Sequence, residues 1–276
     1  MNKILIYYNP KKELAKKIAT LTTQYLLSIG INYINNVDIN SNELDKIDAI
    51  ITFGGDGTIL SAARKYIDAN IPIMGFNVGK LGFLAEFSAT HIKQNIDILL
   101  NKKYKIIKRF ILTAKLNNDN EKYFAVNDFV LKNIDNFKLI TLSVFANEQY
   151  IGDYRADGLI VASPTGSTAY SLACGGPIIS PDTNVYCITP ISPHTLTLRP
   201  LVIPTTKTIK IQLSNTNKDE TASIIADGTY IEKITCDNEL EITTYNKEAN
   251  FIVPLDSNYF DVLRRKLLWA EKVIKS

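Results

Sequence analysis

The chain has 276 residues, 46% of them hydrophobic and 21% charged, which is typical of a globular protein long enough to bury a sizeable core. Its formal net charge of +3 is too small to predict binding to nucleic acid. Three cysteines without metal-ligand spacing predict reduced thiols. No apolar run approaches the roughly 20 residues that span a bilayer, and the first is too short for a signal peptide. We therefore expect a cytoplasmic protein that binds no membrane.

The N-terminal part alternates short apolar runs with segments of helical periodicity. Such alternation predicts a parallel sheet covered by helices on both faces. Ser88 is a candidate N-cap for the third of these helices. The predicted strands are Lys3–Tyr8, Ile47–Phe53 and Pro72–Phe76, and the predicted helices carry Leu14, Ile18, Leu21 and Tyr25, then Thr58–Tyr66, then Ile92, Ile96 and Leu99.

After residue 101 the pattern changes to short β-rich runs separated by turn signals, and helical spacing returns only at Phe260–Val273. The predicted fold is an α/β N-terminal domain with a parallel sheet, a β-rich C-terminal domain, and a C-terminal helix that returns to the N-terminal domain. The predicted domains are residues 1–101, 102–257 and 258–276. The β-rich runs are Leu112–Leu116, Phe129–Lys132, Thr141–Ala146, Leu159–Ala162, Ile209–Leu213, Leu240–Tyr245 and Phe251–Val253.

The segment Gly54-Gly55-Asp56-Gly57-Thr58 lies between a predicted strand and a predicted helix. Free N–H groups and the helix dipole make such a turn an anion site. Asp56 would repel a phosphate there unless it has a chemical task or a metal ion to bind, so the segment indicates phosphoryl transfer. The alternative is a purely structural turn whose glycines provide unusual dihedral angles. Neither a P-loop nor a Gly-x-Gly-x-x-Gly dinucleotide motif is present in the chain.

A second motif runs from Asp157 to Tyr170, where a buried strand leads into a hydroxyl-rich glycine turn and a predicted helix, Thr168–Ala173. Its Ser and Thr side chains are either ordinary helix caps or contacts to a polar ligand, with Tyr170 available for stacking. The motif lacks the flanking glycines of the serine-hydrolase elbow.

Two further segments carry weaker signals. Asn127-Asp128 enters a strand, but this pair is common in turns. The glycine-rich loop Gly75–Leu84 follows the third predicted strand, and parallel sheets bind ligands at that edge. The two histidines, His91 and His194, do not indicate a metal site.

Taken together and in this order, these segments resemble the NAD kinase family. The glycine–acid turn alone also occurs in diacylglycerol and sphingosine kinases and in phosphofructokinases, whereas its combination with Pro-Thr-Gly-Ser-Thr-Ala-Tyr is specific. The family often has Glu where this chain has Asp128, and a long polar residue where it has Thr229. The resemblance is carried by Gly54–Thr58, Asn77–Phe83, Asn127-Asp128, Arg155–Gly158, Thr165–Tyr170 and Leu198–Leu201.

The resemblance implies transfer of the γ-phosphate of ATP to the 2′-hydroxyl on the adenosine ribose of NAD, with Mg²⁺ or another divalent cation accompanying ATP. It implies that Asp56 is the general base or orients the hydroxyl. It also implies a homodimer or homotetramer with sites near subunit contacts. The phosphate-binding residues would be Gly54, Gly55, Gly57 and Thr58, and the NAD-binding residues Asp56, Gly57, Asn127, Asp128, Lys138, Arg155, Asp157, Thr165, Thr168, Ala169, Tyr170, Ser171, Leu172 and Ala173.

Two other functions share part of this pattern. A lipid kinase of the diacylglycerol or sphingosine type would have the same glycine–acid turn, but no basic amphipathic helix is evident in the sequence. A non-catalytic NAD(P)-binding regulator would have no use for Asp56, because a protein that only binds gains nothing from an acid that faces phosphate.

Overall fold

The computed structural model describes residues 3–36, 41–79, 82–117, 121–133, 138–214 and 221–268. The chain forms two compact units, one of Met1–Lys108 with Ala249–Ser276 and the other of Arg109–Glu248. The expectation that the β-rich domain, residues 102–257, forms most of the NAD pocket stays a prediction. None of the helices in the described ranges is long and apolar enough to cross a membrane.

The first unit is built around a parallel sheet. Strands pair in the order β2-β1-β3-β4, and the last residues of β17 also pair with β4 in parallel. Every residue of β3 is buried, as expected for the continuous apolar run of a central parallel strand. The elements are β1 (Lys3–Tyr8), α1 (Glu13–Ser28), β2 (Asn32–Asn35), β3 (Ala49–Gly54), α2 (Asp56–Lys65), β4 (Ile73–Asn77), β5 (Phe87–Ser88), α3 (Ile92–Leu100) and β6 (Tyr104–Leu116), which runs on into the second unit.

The second unit is β-rich and antiparallel. One sheet has the strand order β13-β12-β11-β8-β15-β16, and β10, β9, β14 and the first part of β17 pair in another. The described elements are β7 (Tyr123–Ala125), β8 (Asp128–Lys132), β9 (Ile140–Ala146), β10 (Gln149–Ala156), β11 (Gly158–Ala162), α4 (Tyr170–Ala173), β12 (Val185–Ile191), β13 (Leu201–Pro204), β14 (Ile209–Leu213), β15 (Ala222–Ala226), β16 (Thr229–Ile234) and β17 (Glu239–Pro254).

These features confirm the predicted fold class, including a C-terminal helix, α5 (Tyr259–Leu267), that belongs to the first unit. Asn258 caps α5 by accepting the N–H of Phe260, and Leu268 ends it in the left-handed region at φ 51°. The part of the predicted helix beyond residue 268 lies outside the described residues.

Of the four residues that predicted helix α1, two pack against the core of the first unit, Ile18 and Tyr25. The buried residues of α1 include Ala15, Ala19 and Leu26, whereas Leu14 and Leu21 are more than half exposed. Small side chains let the helix lie close to the sheet, so they form the packed face although they contribute little to an apolar pattern.

Candidate functional site

The glycine–acid turn joins β3 to α2 in the first unit. Gly54 ends the strand, Gly55 is the N-cap, and Asp56 is the first residue of the helix. A Cβ on Gly54 would lie 2.1 Å from Thr58 Oγ1, so the packing of the turn requires a glycine there. Gly55 has no side chain to cap α2, which leaves the first N–H groups of the helix for another acceptor.

Gly55 and Gly57 have no such structural requirement. Neither has a positive φ, and a Cβ on either would meet no atom of the described residues within 4 Å. The purely structural interpretation of the motif is therefore not supported at these two positions, because alanine would fit both the backbone and the space. Their missing side chains instead leave the backbone open to a ligand beside Asp56.

Three backbone N–H groups hold the Asp56 carboxylate in place. Its Oδ2 accepts from Phe83 at 2.7 Å, and its Oδ1 accepts from Leu84 at 3.1 Å and Ala85 at 3.3 Å. The loop approaches so closely that a Cβ on Gly82 would lie 1.8 Å from Oδ1. Because a carboxylate oxygen has two lone pairs, Oδ2 keeps one acceptor position while Oδ1 is fully used.

In the second unit another carboxylate organises the Asn127-Asp128 segment. Asp227 accepts the N–H groups of Val126 at 3.0 Å, Asn127 at 2.7 Å and Asp128 at 3.3 Å. Asp227 and Gly228 have φ of 44° and 76°, as expected for the tight Asp-Gly turn between β15 and β16. This hairpin turn thereby fixes the entrance to β8.

Asp128 itself is only 4% exposed. Burial raises the pKa of its carboxyl group to about 7, and the negative charge of Asp227 adds to this shift. A carboxyl group with such a pKa changes charge near neutral pH, so Asp128 is electrostatically the most perturbed of the predicted NAD-binding residues that the structure describes.

The buried serines of the hydroxyl-rich segment hold the segment together. Ser163 Oγ donates to the carbonyl of Val126 at 2.6 Å and accepts the N–H of Gly166 at 3.1 Å. Ser167 Oγ accepts the N–H of Ile179 at 3.0 Å. These serines are at most 1% exposed, so their hydroxyl groups serve the fold.

Ser171 belongs to the same buried set. It is fully buried, and its hydroxyl group bonds to that of Thr189 at 2.8 Å. The predicted helix at residues 168–173 is a 3₁₀ turn, Gly166–Thr168, followed by the short α4, with a backbone break at Ala169. The predicted NAD-binding residues of this segment that retain exposed surface are Thr165, Thr168, Ala169, Tyr170, Leu172 and Ala173.

Two contacts bring this segment against Asn127-Asp128. A Cβ on Gly166 would lie 2.1 Å from the carbonyl oxygen of Asn127. The N–H of Ser163 also donates to this carbonyl oxygen, at 2.8 Å. The structure thus joins two motifs that lie more than 30 residues apart in sequence.

The remaining predicted NAD-binding residues lie elsewhere in the second unit. Asp157 precedes Gly158, which pairs with Lys132, whereas Asp128 pairs with Ala162 at the other end of β11. At a rise of roughly 3.4 Å per residue, the two ends of β11 are about 14 Å apart. The exposed Arg155 lies on β10, two residues before Asp157, and the exposed Lys138 follows the undescribed residues 134–137.

Sequence reasoning singled out the loop Gly75–Leu84, but it missed which groups this loop and Asp227 hold in place. Gly82 and the N–H groups of residues 83–85 fix Asp56, and Asp227 fixes residues 126–128. The Asp227-Gly228 pair does signal a turn, but nothing in the sequence shows which segment its carboxylate caps. Among the described residues, no three His, Cys, Asp or Glu side chains come together as metal ligands.

An α/β unit with a fixed carboxylate at an anion-binding turn is suited to phosphoryl transfer. Comparison with known families identifies the chain further. The model of the ATP-NAD kinase N-terminal domain matches residues 4–104, and that of the ATP-NAD kinase C-terminal domain matches residues 126–253. The chain belongs to the ATP-NAD kinase family.

Individual relatives agree with this result. The chain is 38% identical to an NAD kinase of Sulfurimonas denitrificans over 82% of its own length and 79% of the relative's. It is 34% identical to an NAD kinase of Fusobacterium nucleatum, over 99% of the chain and 100% of the relative.

Two solved structures share the fold. Yeast NADH kinase complexed with NADH has a TM-score of 0.88 and 22% identity, covering 100% of this chain and 90% of the yeast chain. An NAD kinase from Archaeoglobus fulgidus in complex with ATP has a TM-score of 0.76 and 23% identity, covering 97% of each chain.

Proposed function

We propose that this protein is an NAD kinase that transfers the γ-phosphate of ATP to the 2′-hydroxyl on the adenosine ribose of NAD, producing NADP and ADP. Membership of the ATP-NAD kinase family supports this reaction. The observation that carries it is the geometry of the turn: a carboxylate fixed by three N–H groups stands between two glycines that the fold does not require.

In this reaction Asp56 accepts or orients the proton of the ribose hydroxyl. Its Oδ2, with one lone pair left, is the atom suited to this task. A sugar hydroxyl is a weak nucleophile, so an acceptor held in position raises its reactivity as it attacks the γ-phosphorus. The open backbone at Gly55 and Gly57, with Gly54 and Thr58 beside it, is the proposed phosphate contact.

The dinucleotide is proposed to bind through Asn127, Asp128 and the exposed face of residues 165–173, with Tyr170 available to stack on a base. Tyr170 is 38% exposed and therefore accessible for such stacking. Mg²⁺, or another divalent cation, is proposed to enter with ATP, because Mg²⁺ takes many of its ligands from phosphate oxygens and water. Its chemistry is to neutralise phosphate charge.

We further propose a cytoplasmic homodimer or homotetramer. Arg155 and Asp157 lie at the opposite end of β11 from Asp128. In an oligomer with sites near subunit contacts, Asp128 of one copy would bind one dinucleotide, and Arg155 and Asp157 of the same copy would bind another. Light scattering of the pure protein tests the assembly, and a monomer at micromolar concentration would contradict it.

The decisive test of the reaction is to incubate the pure protein with NAD, ATP and Mg²⁺ and to detect NADP with an NADP-specific dehydrogenase. Parallel reactions with labelled ATP contain diacylglycerol or sphingosine as acceptor. NADP formation without lipid phosphorylation is expected. Labelled lipid without NADP would instead identify a lipid kinase, and binding of NAD without any phosphoryl transfer would identify a regulator.

A further inference from the structure

A lysine of the C-terminal helix stands beside the glycine–acid turn. Lys266 lies near the end of α5 and is partly buried, and its Nζ is 6.0 Å from the centroid of the Phe83 ring. The N–H of Phe83 donates to Asp56 Oδ2 at 2.7 Å. Lys266 therefore contacts the residue that holds the carboxylate, and all three residues belong to the first unit.

The surroundings of Lys266 identify its electrostatic partner. Burial lowers the pKa of its ammonium group, the negative charge of Asp56 opposes that change, and the positive charge of Arg265 adds to it. Asp56 is thus the negative charge that favours the ammonium form. The neighbouring Arg264 instead bonds to Asp261 on its own helix, with both side chains exposed.

This arrangement addresses the conflict that the motif presents, which is a negative charge inside a site for phosphate. The three N–H groups that bind Asp56 are dipoles and leave its net charge unchanged. The charge of the Lys266 ammonium group, which interacts with the Asp56 carboxylate, does offset this negative charge, and partial burial weakens screening by salt.

We propose that Lys266 is a positioning residue that offsets the charge of Asp56 and holds the Phe83 loop, and so permits the polyphosphate of ATP to bind beside the carboxylate. The proposal deepens the kinase function and rests on it. It assigns a role in substrate binding to the C-terminal helix, which lies about 200 residues from the glycine turn in sequence.

The first test compares Lys266→Met, which keeps most of the side-chain length, with Lys266→Arg, which keeps the charge. Lys266→Met is expected to raise KM for ATP by about tenfold, with kcat and KM for NAD changed by less than about threefold. Lys266→Arg is expected to restore most of the affinity. Arg264→Met is the matched control, because it removes a cation of the same helix that has its own partner.

A double-mutant cycle isolates the coupling to Asp56. ATP binding is measured by calorimetry for the wild type, Lys266→Met, Asp56→Asn and the double variant. If Lys266 acts by offsetting Asp56, its substitution should cost about tenfold in the wild-type background and less than about threefold once the carboxylate is gone. Equal losses in both backgrounds, or failure of Lys266→Arg to restore KM, would overturn the proposal.

The NADP assay and the calorimetric cycle test the kinase function and the role of Lys266 separately. Absence of NADP from the wild-type reaction would refute the kinase function, whereas the calorimetric cycle reports on Lys266 without any turnover. Thermal unfolding of each variant shows whether loss of the Phe83 contact destabilises the first unit. Lys266 would be an ordinary structural residue if the variants lost ATP affinity only in proportion to their loss of thermal stability, and if Arg264→Met showed the same loss.

Discussion

The glycine turn of the first unit and the hydroxyl-rich segment of the other unit are both rich in small residues. Each follows a buried strand and leads into a helix. In the structure their small residues have different tasks. Gly55 and Gly57 are not needed by the fold and leave open space. Ser163, Ser167 and Ser171 are buried and bonded within the second unit.

This difference shows that a run of small polar residues does not by itself identify a binding surface. The space around Gly166 differs clearly from the space around Gly57. A Cβ on Gly166 would collide with the Asn127 carbonyl group, whereas a Cβ on Gly57 would meet no atom within 4 Å in the part of the chain that the structure describes. A substitution in the hydroxyl-rich segment should therefore lower stability, whereas a substitution at Gly55 or Gly57 should lower activity and leave stability unchanged.

The largest expected effect follows from the Asp56 carboxylate. Asp56→Asn should lower NADP formation by about 10²–10⁴-fold, because the amide cannot accept the proton of the ribose hydroxyl. NAD affinity, measured by calorimetry, should change by less than about threefold, since the variant keeps the size and the position of the side chain.

The structure adds a control to this experiment. The Asn amide group turns one acceptor into a donor, so one of the N–H groups of residues 83–85 loses its partner. Thermal unfolding should show a modest loss of stability, and the NADP assay is run well below the unfolding transition. Near-normal turnover in this variant would remove Asp56 from the chemistry.

The second prediction tests the comparison directly with two glycine-to-alanine substitutions. Gly166→Ala should destabilise the protein by about 3 kcal/mol or more, because a backbone oxygen lies 2.1 Å from the new Cβ. Gly57→Ala, within the first turn of α2, should leave the free energy of unfolding unchanged or raise it by roughly 0.5–1 kcal/mol. Its NADP formation should nevertheless fall by about tenfold or more, because the methyl group obstructs the phosphate.

Urea unfolding and steady-state kinetics measure both quantities on the same preparations. Full activity in Gly57→Ala would show that the open space beside Asp56 is not used by a substrate. Unchanged stability in Gly166→Ala would mean that the hydroxyl-rich segment is less tightly packed than its serine bonds indicate.

The sequence predicted the elements with strong local signals. β1 and β14 have the predicted bounds, and the predicted helix after the glycine turn is present as α2. Short or half-exposed strands and strands with a proline carry weak periodicity. The sequence therefore did not predict β2, β5, β7, β10, β12, β13, β15 and β16. The spacing of Leu14, Ile18, Leu21 and Tyr25 correctly predicted a helix, α1, but not that Ala15 and Ala19 belong to its buried face.

The site was predictable as a set of motifs but not as a geometry. Asp56 was identified from its glycines, yet its three donors come from a loop 27 to 29 residues later in the chain. The caps by Asp227 span about 100 residues. Such contacts depend on tertiary packing, which no local pattern encodes, and the roles of the predicted NAD-binding residues stay predictions.

The smallest expected effect concerns the buried Asp128. Burial raises the pKa of Asp128 from 3.8 to about 7 in the folded protein, with Asp227 as the second cause. Between these values the folded chain keeps a proton that the unfolded chain releases, so stability falls as pH rises through this window and then levels off. Asp128→Asn lacks this titration, so from about pH 5 to about pH 8 it should gain on the order of 2 kcal/mol relative to wild type.

Urea unfolding of both proteins at the two pH values measures this difference. Asp182→Asn, which removes an exposed carboxylate of the same unit, controls for the loss of one negative charge. If wild type and Asp128→Asn changed in parallel with pH, Asp128 would be charged in the fold throughout.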